Sequence, residues 1–390
     1  MKITKVKATG LFVPISKPTT PISLPYAESL SGVVFGGYRS TLVQIETNEG
    51  IVGIGECMTR LSPKALVAIV EDLQPLLLGK NPLDTEPIWE MMYGVMMNRG
   101  HNRGFFIEAV SGIDVALWDI AGKARGEPIY QLLGGKHSDK LWAYASSLRF
   151  RGIENTLETA RLFLERGFNA MKLKIGKEIY SDNDVRMIEA LRKEVGDHIV
   201  LMADANCGYA NDVNRAAYVG KALEANGYLW FEEPISPDNI RGMKKLCKDL
   251  DIAVAGGETA FTRYDFRDLF SNEALDIIQP NACRTGGISE VKKIAAMSSA
   301  YHIPYAPHTG SCSAISITVA LHLAAAIPNF LIYEFMQSDW VKEEPNPLRH
   351  HLLKEPVEKF KDGFMEAPDP RKPGLGIELD QEIVEKYRVS

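Results

Sequence analysis

The sequence lacks paired cysteines, long apolar stretches and runs of like charge, and each absence narrows the classes of protein it can belong to. Its five cysteines are scattered along 390 residues and form no CxxC pair. We therefore expect free, buried thiols in a reducing compartment. The N-terminal segment carries basic residues but has no unbroken apolar core and no small-residue cleavage site, and no stretch approaches the length of a membrane span. These features predict a cytoplasmic protein.

The composition is typical of a soluble globular protein. Hydrophobic residues make up 45% of the chain and charged residues 24%, and the formal net charge is −6. This modest acidity, without a block of like charge, gives no reason to expect a nucleic-acid or membrane partner. Because 390 residues exceed what one compact core usually serves, we expect two packed domains.

The first part of the chain has the pattern of an α+β capping domain, which we place at residues 1–138. Three strand-like segments are followed by helical stretches. The predicted strands are Ile3–Pro14, Arg39–Thr47 and Val52–Cys57, and the predicted helices are Lys64–Leu77, Pro87–Met97 and Phe106–Gly122. Residues 16–37 are rich in Pro, Ser and Gly, and they predict a long surface loop of the kind that often forms a lid or a binding loop.

From about residue 140 the pattern changes to short apolar strands that alternate with amphipathic helices. Eight such strands are predicted, at residues 141–147, 169–175, 199–204, 228–233, 252–258, 275–281, 303–308 and 330–335. Eight alternating units predict an α/β fold with a parallel (β/α) barrel, which we place at residues 139–349. The tail, residues 350–390, is expected to leave the barrel and to complete the capping domain.

Polar residues recur at the carboxyl ends of the predicted strands, where barrel enzymes build their active sites. Asp204, Glu232 and Glu258 end three consecutive strands, with 28 residues from the first to the second and 26 from the second to the third. Three convergent carboxylates repel one another unless a cation lies between them, and an all-oxygen ligand set favours Mg²⁺. The alternative is that individual acids pair with lysine or arginine. We favour a magnesium site because the three acids are in register.

Two lysines end the predicted strand that precedes these acids. Lys172 and Lys174 flank Leu173, and residues two apart on a strand face the same side. Both amines are therefore expected to point into the mouth of the barrel, although solvated surface lysines are the common alternative for such a pair. Two close ammonium groups lower each other's pKa, which makes one of them usable as a base near neutral pH.

The residues described so far resemble the enolase superfamily, and within it the mandelate racemase-like subgroup. The resemblance covers almost the whole chain. It rests on AVSGIDVALWDIAGKARGEPIYQLLGG at residues 109–135, followed in family order by KLK, ADAN, FEEP, GGET, QPNACRTGG and PHTG. Superfamily members of this kind use a Lys or His base with one or two Mg²⁺ ions.

The resemblance implies a role for each matching residue. It implies the Mg²⁺ ligands Asp204, Glu232 and Glu258, the general base Lys174, and a neighbouring Lys172 that contacts the substrate carboxylate. It also implies His308 on the opposite face of the substrate, Glu334 as a hydrogen-bonding partner of a carboxylate oxygen, and Asn206 as a substrate-binding residue. The loop at residues 16–37 and the turn after Cys57 match segments that close over the substrate.

One position departs from the family pattern. The family usually places Asp at the end of strand six, where it pairs with the histidine of strand seven, and this chain has Asn281. An Asn carbonyl can orient the His308 imidazole but carries no charge, so we expect a lower His308 pKa unless another carboxylate restores the pairing. This argues against a two-base racemase and suits a histidine that acts as general acid. Arg284, three residues on, either binds a distal substrate carboxylate or forms a salt bridge at the rim.

The resemblance leads to an acid-sugar dehydratase as the favoured function. In this reading Lys174 removes the proton alpha to the carboxylate, Mg²⁺ stabilises the enediolate, and His308 protonates the departing β-hydroxyl, which yields a 2-keto-3-deoxy acid. The alternatives are a sugar-lactone cycloisomerase, a racemase or epimerase of a 2-hydroxy acid, and a non-catalytic sugar-acid binding protein. We expect a small-molecule carboxylate as ligand and a homo-oligomeric assembly.

Overall fold

An antiparallel sheet of three strands begins the fold. The computed structural model describes residues 1–15, 36–178, 180–337 and 345–389, so the predicted loop at 16–37 lies almost wholly outside the described residues. The strands are β1 (Ile3–Pro14), β2 (Gly37–Thr47) and β3 (Val52–Cys57), in the order β1-β2-β3. A tight turn joins β2 to β3 at Gly50, whose φ of 80° favours glycine. All three predicted strands are confirmed.

Three long helices follow, of which the first and third pack on this sheet and the second packs on those two helices; all three were predicted within a few residues. They are α1 (Pro63–Leu77), α2 (Thr85–Met97) and α3 (Phe105–Arg125), followed by a single turn, α4 (Ile129–Leu132). Helix α1 begins at an N-cap, because the Ser62 side chain accepts a hydrogen bond from the backbone N–H of Ala65. Helix α3 is buried along most of its length between the sheet and the rest of the molecule. It approaches β3 so closely that a Cβ at Gly55 would overlap the carbonyl oxygen of Gly112.

A closed barrel of parallel strands follows. Its strands are β4 (Lys140–Arg149), β5 (Ala170–Lys174), β6 (Val200–Asp204), β7 (Trp230–Glu232), β8 (Ala253–Gly256), β9 (Ile277–Ile278) and β10 (Tyr333–Met336). The segment predicted as strand seven forms only a bridge at Tyr305, which pairs with Ile278 on one side and Phe330 on the other. Strand β10 then pairs with β4 in parallel and closes the ring.

Helices connect the strands on the outside of the barrel. These are α5 (Ile153–Glu165), α6 (Asn183–Val195), α7 (Val213–Ala225), α8 (Ile240–Asp249), α9 (Thr262–Ser271), α10 (Ala282–Thr285), α11 (Gly287–Ala300) and α12 (Ala314–Ala326). Within the described part of the chain, no helix combines the length and the apolarity needed to cross a membrane.

Large apolar side chains fill the middle of the barrel. Polar groups collect at the end of the barrel where the carboxyl ends of its strands lie. Tyr144, Met202 and Trp230 belong to the cluster of buried side chains in the interior, and the Tyr144 and Trp230 rings meet edge to face. Because side chains alternate along a strand, the next inward position on β7 after Trp230 is Glu232. The charged residues therefore form the layer above this apolar plug, at the carboxyl ends of the strands.

The C-terminal tail contacts both the barrel and the first sheet. After α13 (Pro347–His350), a hairpin of β11 (Phe360–Lys361) and β12 (Phe364–Glu366) adds antiparallel to β4 of the barrel. The chain then returns to the first sheet, where α14 (Gln381–Tyr387) ends beside a bridge between Leu11 and Arg388. The domain boundaries themselves stay predictions.

A buried carboxylate joins the first sheet to the barrel. Glu56 on β3 accepts hydrogen bonds from Ser313 Oγ at 2.6 Å and from the backbone N–H of Ser316 at 2.8 Å. These donors belong to the N-terminus of α12, where unpaired N–H groups and the helix dipole favour a negative charge. The Ser40 hydroxyl on β2 completes the set at 2.9 Å. Burial raises the Glu56 pKa, although these hydrogen bonds oppose that rise.

A second buried carboxylate, Asp119 on α3, gives a test of how the tail is held. It accepts the backbone N–H groups of Ile54 at 2.9 Å and Leu375 at 2.8 Å. We expect Asp119→Ala to lower the free energy of unfolding by about 2–4 kcal/mol, because both buried donors lose their partner. Denaturant unfolding measures the loss. The exposed Asp72→Ala is the matched control, and equal stability of the two variants would contradict the assignment.

Candidate active site

A buried ammonium group lies among three carboxylates at the mouth of the barrel. The Nζ atom of Lys172 donates to both carboxylate oxygens of Glu232, at 2.7 and 2.8 Å. It also lies 3.3 Å from Oδ2 of Asp204 and 3.1 Å from Oε1 of Glu334. The side chain is only 1% exposed. The alternative of a solvated surface lysine is therefore wrong for Lys172.

The second lysine lies beside the first and shares one of its acids. Lys174 is partly exposed, forms an ion pair with Asp204 and donates to Oδ1 of Asn206 at 2.9 Å. The backbone N–H of Asn206 donates in turn to Oδ1 of Asp204 at 2.8 Å. Because Lys172 and Lys174 both contact Asp204, the predicted inward orientation of the two lysines is confirmed.

The charges shift the pKa values of these groups in a consistent way. Burial opposes the charged form of Lys172, but Glu232 and Glu334 outweigh it and hold the Lys172 pKa well above its usual value. The expected lowering of the pKa by the neighbouring ammonium is therefore wrong for Lys172. Burial and then the negative charge of Asp204 raise the pKa of Glu232 to about 8. Burial raises the Asp204 pKa too, but the two lysines prevail and hold it well below its usual range.

Glu233 ends the predicted strand 228–233 and also reaches this layer, although no role was predicted for it. Alternation along a strand directs it away from Glu232, but β7 ends at Glu232 and the backbone of Glu233 turns with a φ of 38°. Its carboxylate is buried, and Oε1 has no hydrogen-bond partner among the described residues. Burial and the nearby charge of Glu258 raise the Glu233 pKa well above its usual value. An oxygen of this kind is available to accept a hydrogen bond or to bind a cation.

The donor set fits a divalent cation. Across the described ranges, no three acidic, histidine or cysteine side chains stand in a ready-made metal cage. Lys172 and Lys174 instead form ion pairs with Asp204 and Glu232. The carboxylates nevertheless outnumber the two lysines: they are Asp204, Glu232, Glu233, Glu258 and Glu334. An excess of buried oxygen ligands with negative charge suits Mg²⁺.

A histidine occupies the other side of the mouth. Nε2 of His308 lies 3.1 Å from Oε2 of Glu258, so a carboxylate does approach the ring, as the sequence left open. Burial lowers the His308 pKa, and the negative charges of Glu258 and Glu334 only partly oppose this. The expected direction of the His308 pKa is therefore confirmed, although the contact with Glu258 was not predicted.

Asn281 faces His308 with its amide nitrogen, so the expectation that its carbonyl orients the ring is wrong. Oδ1 of Asn281 accepts the backbone N–H of Cys283 at 3.0 Å, while Nδ2 donates to the backbone carbonyl of His308 at 2.9 Å. Because a backbone N–H can only donate and a carbonyl can only accept, these two bonds settle the orientation of the amide. Nδ2 lies 3.5 Å from Nδ1 of His308. Nδ2 also donates to Sγ of Cys312 at 3.1 Å, so its two N–H groups have nearer acceptors, while the positive end of the amide dipole lies beside Nδ1.

The remaining predicted residues lie around this core. Glu334 accepts from Ser146 Oγ and from the backbone N–H of Thr309, each at 2.7 Å. Burial would raise the Glu334 pKa, but Lys172 and His308 prevail and lower it. Nε of Arg284 lies 3.5 Å from Oε1 of Glu108 on α3, so the rim ion pair is present.

Two further contacts escaped the sequence analysis. Gln279 donates to Oε2 of Glu232 at 2.7 Å, and Trp230 Nε1 donates to the same atom at 3.1 Å. Gln279 lies two residues before Asn281, and the inward period of two along its strand is the pattern that points to it.

A closed parallel barrel with acids and lysines at the carboxyl ends of its strands, beneath a smaller α+β domain, defines a class of enzyme. Residues 13–134 match the mandelate racemase/muconate lactonizing enzyme N-terminal domain, and residues 155–383 match the enolase C-terminal domain-like family. The chain therefore belongs to the enolase superfamily, in its mandelate racemase/muconate lactonizing enzyme branch. Enzymes of this superfamily generally depend on Mg²⁺.

Named relatives extend over nearly the whole chain. It is 36% identical to a D-galactarolactone cycloisomerase from Agrobacterium fabrum over 89% of this chain and 91% of that protein. It is 35% identical to an arabinonate dehydratase from Saccharolobus solfataricus, over 93% of this chain and 94% of that protein. Among solved structures, a 3,6-anhydro-D-galactonate cycloisomerase from Zobellia galactanivorans is similar over 100% of both chains, with a TM-score of 0.86 and 30% identity.

Proposed function

We propose that the protein removes the proton alpha to the carboxylate of an acid sugar and eliminates the β-substituent, most simply as a dehydratase. The observation that carries the proposal is the separation of two proton-handling groups. Lys174 forms an ion pair with Asp204, whereas Nε2 of His308 contacts a different carboxylate, Glu258. The names of the arabinonate dehydratase and of the galactarolactone cycloisomerase support a sugar-acid substrate.

The residues divide the reaction between them. Lys172 binds the substrate carboxylate with its charge. Lys174, on the same face of β5, takes the alpha proton. Glu334, held by Ser146 and Thr309, offers an acceptor beside Lys172. Nε2 of His308 faces the leaving group from the other side and delivers the proton that a departing hydroxide requires. The enol product then tautomerises to a 2-keto-3-deoxy acid.

We assign Asp204, Glu232 and Glu258 as the residues that hold Mg²⁺, with Glu233 as a further oxygen ligand within the same layer. The bound ion supplies Lewis-acid stabilisation of the negative charge that develops on the substrate carboxylate. The unpartnered Oε1 of Glu233 supports this assignment, as does the excess of carboxylates over lysines.

A second candidate, a sugar-lactone cycloisomerase, is favoured by the orientation of Asn281. Its amide nitrogen faces Nδ1 of His308 and disfavours the doubly protonated ring. A hydroxide leaving group needs a proton from that ring, whereas the carboxylate released when a lactone opens does not. A neutral His308 is a weak proton donor, and a weak donor at this position favours lactone opening over loss of hydroxide.

The metal assignment predicts a measurable binding site. We expect calorimetric titration of the chelator-treated protein to show Mg²⁺ binding that Glu258→Gln weakens by at least about tenfold, because one charged ligand is lost. Turnover is expected to vanish with chelator and to return with Mg²⁺. The exposed Glu273→Gln serves as control. Full turnover in excess chelator by metal-free protein would refute the assignment.

The base assignment predicts the loss of proton exchange. We expect Lys174→Ala to slow exchange of the alpha proton with deuterated solvent by at least about 10²-fold, which is the usual contribution of a general base. Proton NMR of the substrate pool measures the exchange, and the exposed Lys221→Ala is the control. Near-normal exchange in Lys174→Ala would move the role of base to His308.

Asn281→Asp distinguishes the two candidates. A carboxylate beside Nδ1 stabilises the imidazolium and raises the His308 pKa. A step that needs protonated His308 loses rate above that pKa, so the falling limb of the pH–rate profile moves to higher pH. For a dehydratase we expect faster dehydration near pH 7, measured as 2-keto acid formation. If only lactone opening is catalysed, measured by polarimetry, and its profile does not move, the cycloisomerase is the correct assignment.

A further inference from the structure

Arg284 and Glu108 form an incomplete ion pair beside the active site. Their closest atoms, Nε of Arg284 and Oε1 of Glu108, are 3.5 Å apart. Within the part of the chain that the structure describes, Nε of Arg284 and Oε2 of Glu108 have no hydrogen-bond partner. Burial raises the pKa of Glu108 to about 7, although Arg284 and Arg60 oppose the rise. A structural ion pair at this depth normally satisfies both groups, because each unmade hydrogen bond to a buried charge is costly.

A second arginine reaches the same place from the turn after Cys57. The backbone N–H of Met58 donates to the carbonyl of Cys283 at 2.8 Å, which brings this turn against the segment that carries Arg284. Nη2 of Arg60 donates to the carbonyl of Gly310 at 3.3 Å. Among the described residues this is its one side-chain hydrogen bond, so most of the guanidinium remains available to a ligand.

Arg60 therefore lies next to the reacting groups. Gly310 packs directly on the His308 ring, since a Cβ at Gly310 would lie 2.7 Å from Nε2 of His308. The positive charge of Arg60 acts on Glu258, on His308 and on Arg284. The two arginines thus border the side of the mouth that holds His308, whereas Lys172 and Lys174 border the side that holds Asp204.

Two guanidinium groups meet in this region. Among the described residues Arg284 has one ion pair, with Glu108, and the negative charges of Glu258 and Glu233 also act on it. The Arg284 guanidinium lies over the Phe261 ring, 5.1 Å from its centroid, which holds its plane in place. Planar guanidinium groups with free N–H donors are suited to a carboxylate, which they can bind through two parallel hydrogen bonds.

We propose that Arg60 and Arg284 form a subsite for a second, distal carboxylate, so that the substrate is a dicarboxylic sugar acid or its lactone. This inference rests on the proposed function, because that function places the first carboxylate at Lys172. The reacting carboxylate and the distal carboxylate are then bound at opposite sides of the mouth, and the chain between them passes Lys174 and His308. Glu108 holds Arg284 until the ligand binds.

The test compares matched ligands. Binding of six-carbon aldaric acids and of the aldonic acids of the same configuration is measured by calorimetry, with Mg²⁺ present, on the Lys174→Ala protein so that no turnover interferes. We expect at least one aldaric acid to bind about tenfold or more tightly than its aldonic partner, because a charged hydrogen-bonded contact is gained. Arg60→Gln and Arg284→Gln, each made in that protein, are expected to remove this advantage.

The controls address folding and charge. Arg103→Gln removes an exposed arginine that pairs with Asp265, and it is expected to keep the preference. Arg284→Lys keeps the charge without the planar donors, and partial recovery is expected. Arg284→Gln leaves Glu108 without its ion pair and can therefore fail to fold. In that case the binding preference of Arg60→Gln decides whether the subsite exists.

The outcomes separate this subsite from the proposed function. If aldonic acids bind as tightly as aldaric acids, if neither class binds, or if the preference survives in Arg60→Gln, the subsite is wrong. Exchange of the alpha proton of aldonic acids by the wild-type enzyme would leave the proposed function standing in that case. A clear preference for aldaric acids in the binding assay, with no alpha-proton exchange of either class of acid by the wild-type enzyme, would support the subsite and refute the proposed function.

Discussion

The ammonium group of Lys172 lies within 3.3 Å of three buried carboxylates and holds the mouth of the barrel together. Without it, Asp204, Glu232 and Glu334 would repel one another in a place where water cannot screen their charges. The arrangement depends on the apolar plug beneath it, since Tyr144 and Trp230 keep water out from below. One ammonium group does not neutralise three carboxylates. The remaining negative charge makes the layer suitable for a divalent cation and, with that cation bound, for an anionic substrate.

Much of the architecture was open to prediction because strands and helices repeat with regular periods. The three strands of the first sheet, the helices packed on it and most of the barrel strands lie where apolar patterns placed them. The same period of two identified Lys172 and Lys174 as inward residues, and the regular spacing of strand ends placed Asp204 and Glu232 at the same end of the barrel. The segment at 303–308 failed as a full strand, since only Tyr305 pairs with its neighbours. The expected homo-oligomer and cytoplasmic location stay predictions.

The parts that escaped prediction depend on contacts between distant segments. The amide of Asn281 turns its nitrogen to His308 because Cys283 and the His308 carbonyl claim its two ends, and no local pattern reveals that choice. Glu233 joins the carboxylate layer through a left-handed backbone at the end of β7. Arg60 and Glu108 reach the site from the first domain, and their meeting with Arg284 depends on how the two domains pack.

The carboxylate of Glu56, buried at the N-terminus of α12, has a consequence for how such enzymes diversify. It belongs to the first domain, but it accepts hydrogen bonds from a barrel helix. The donors are the Ser313 hydroxyl and the backbone N–H of Ser316. A recombinant in which the first domain comes from a relative would inherit unpaired buried donors unless that relative also carries an acid at this strand position. Substitutions in the turn that bears Arg60, four residues along, leave this joint in place, whereas loss of the acid at Glu56 leaves its buried donors unpaired. A structural joint between the first sheet and the barrel and the proposed substrate contact of Arg60 thus lie within a single short segment.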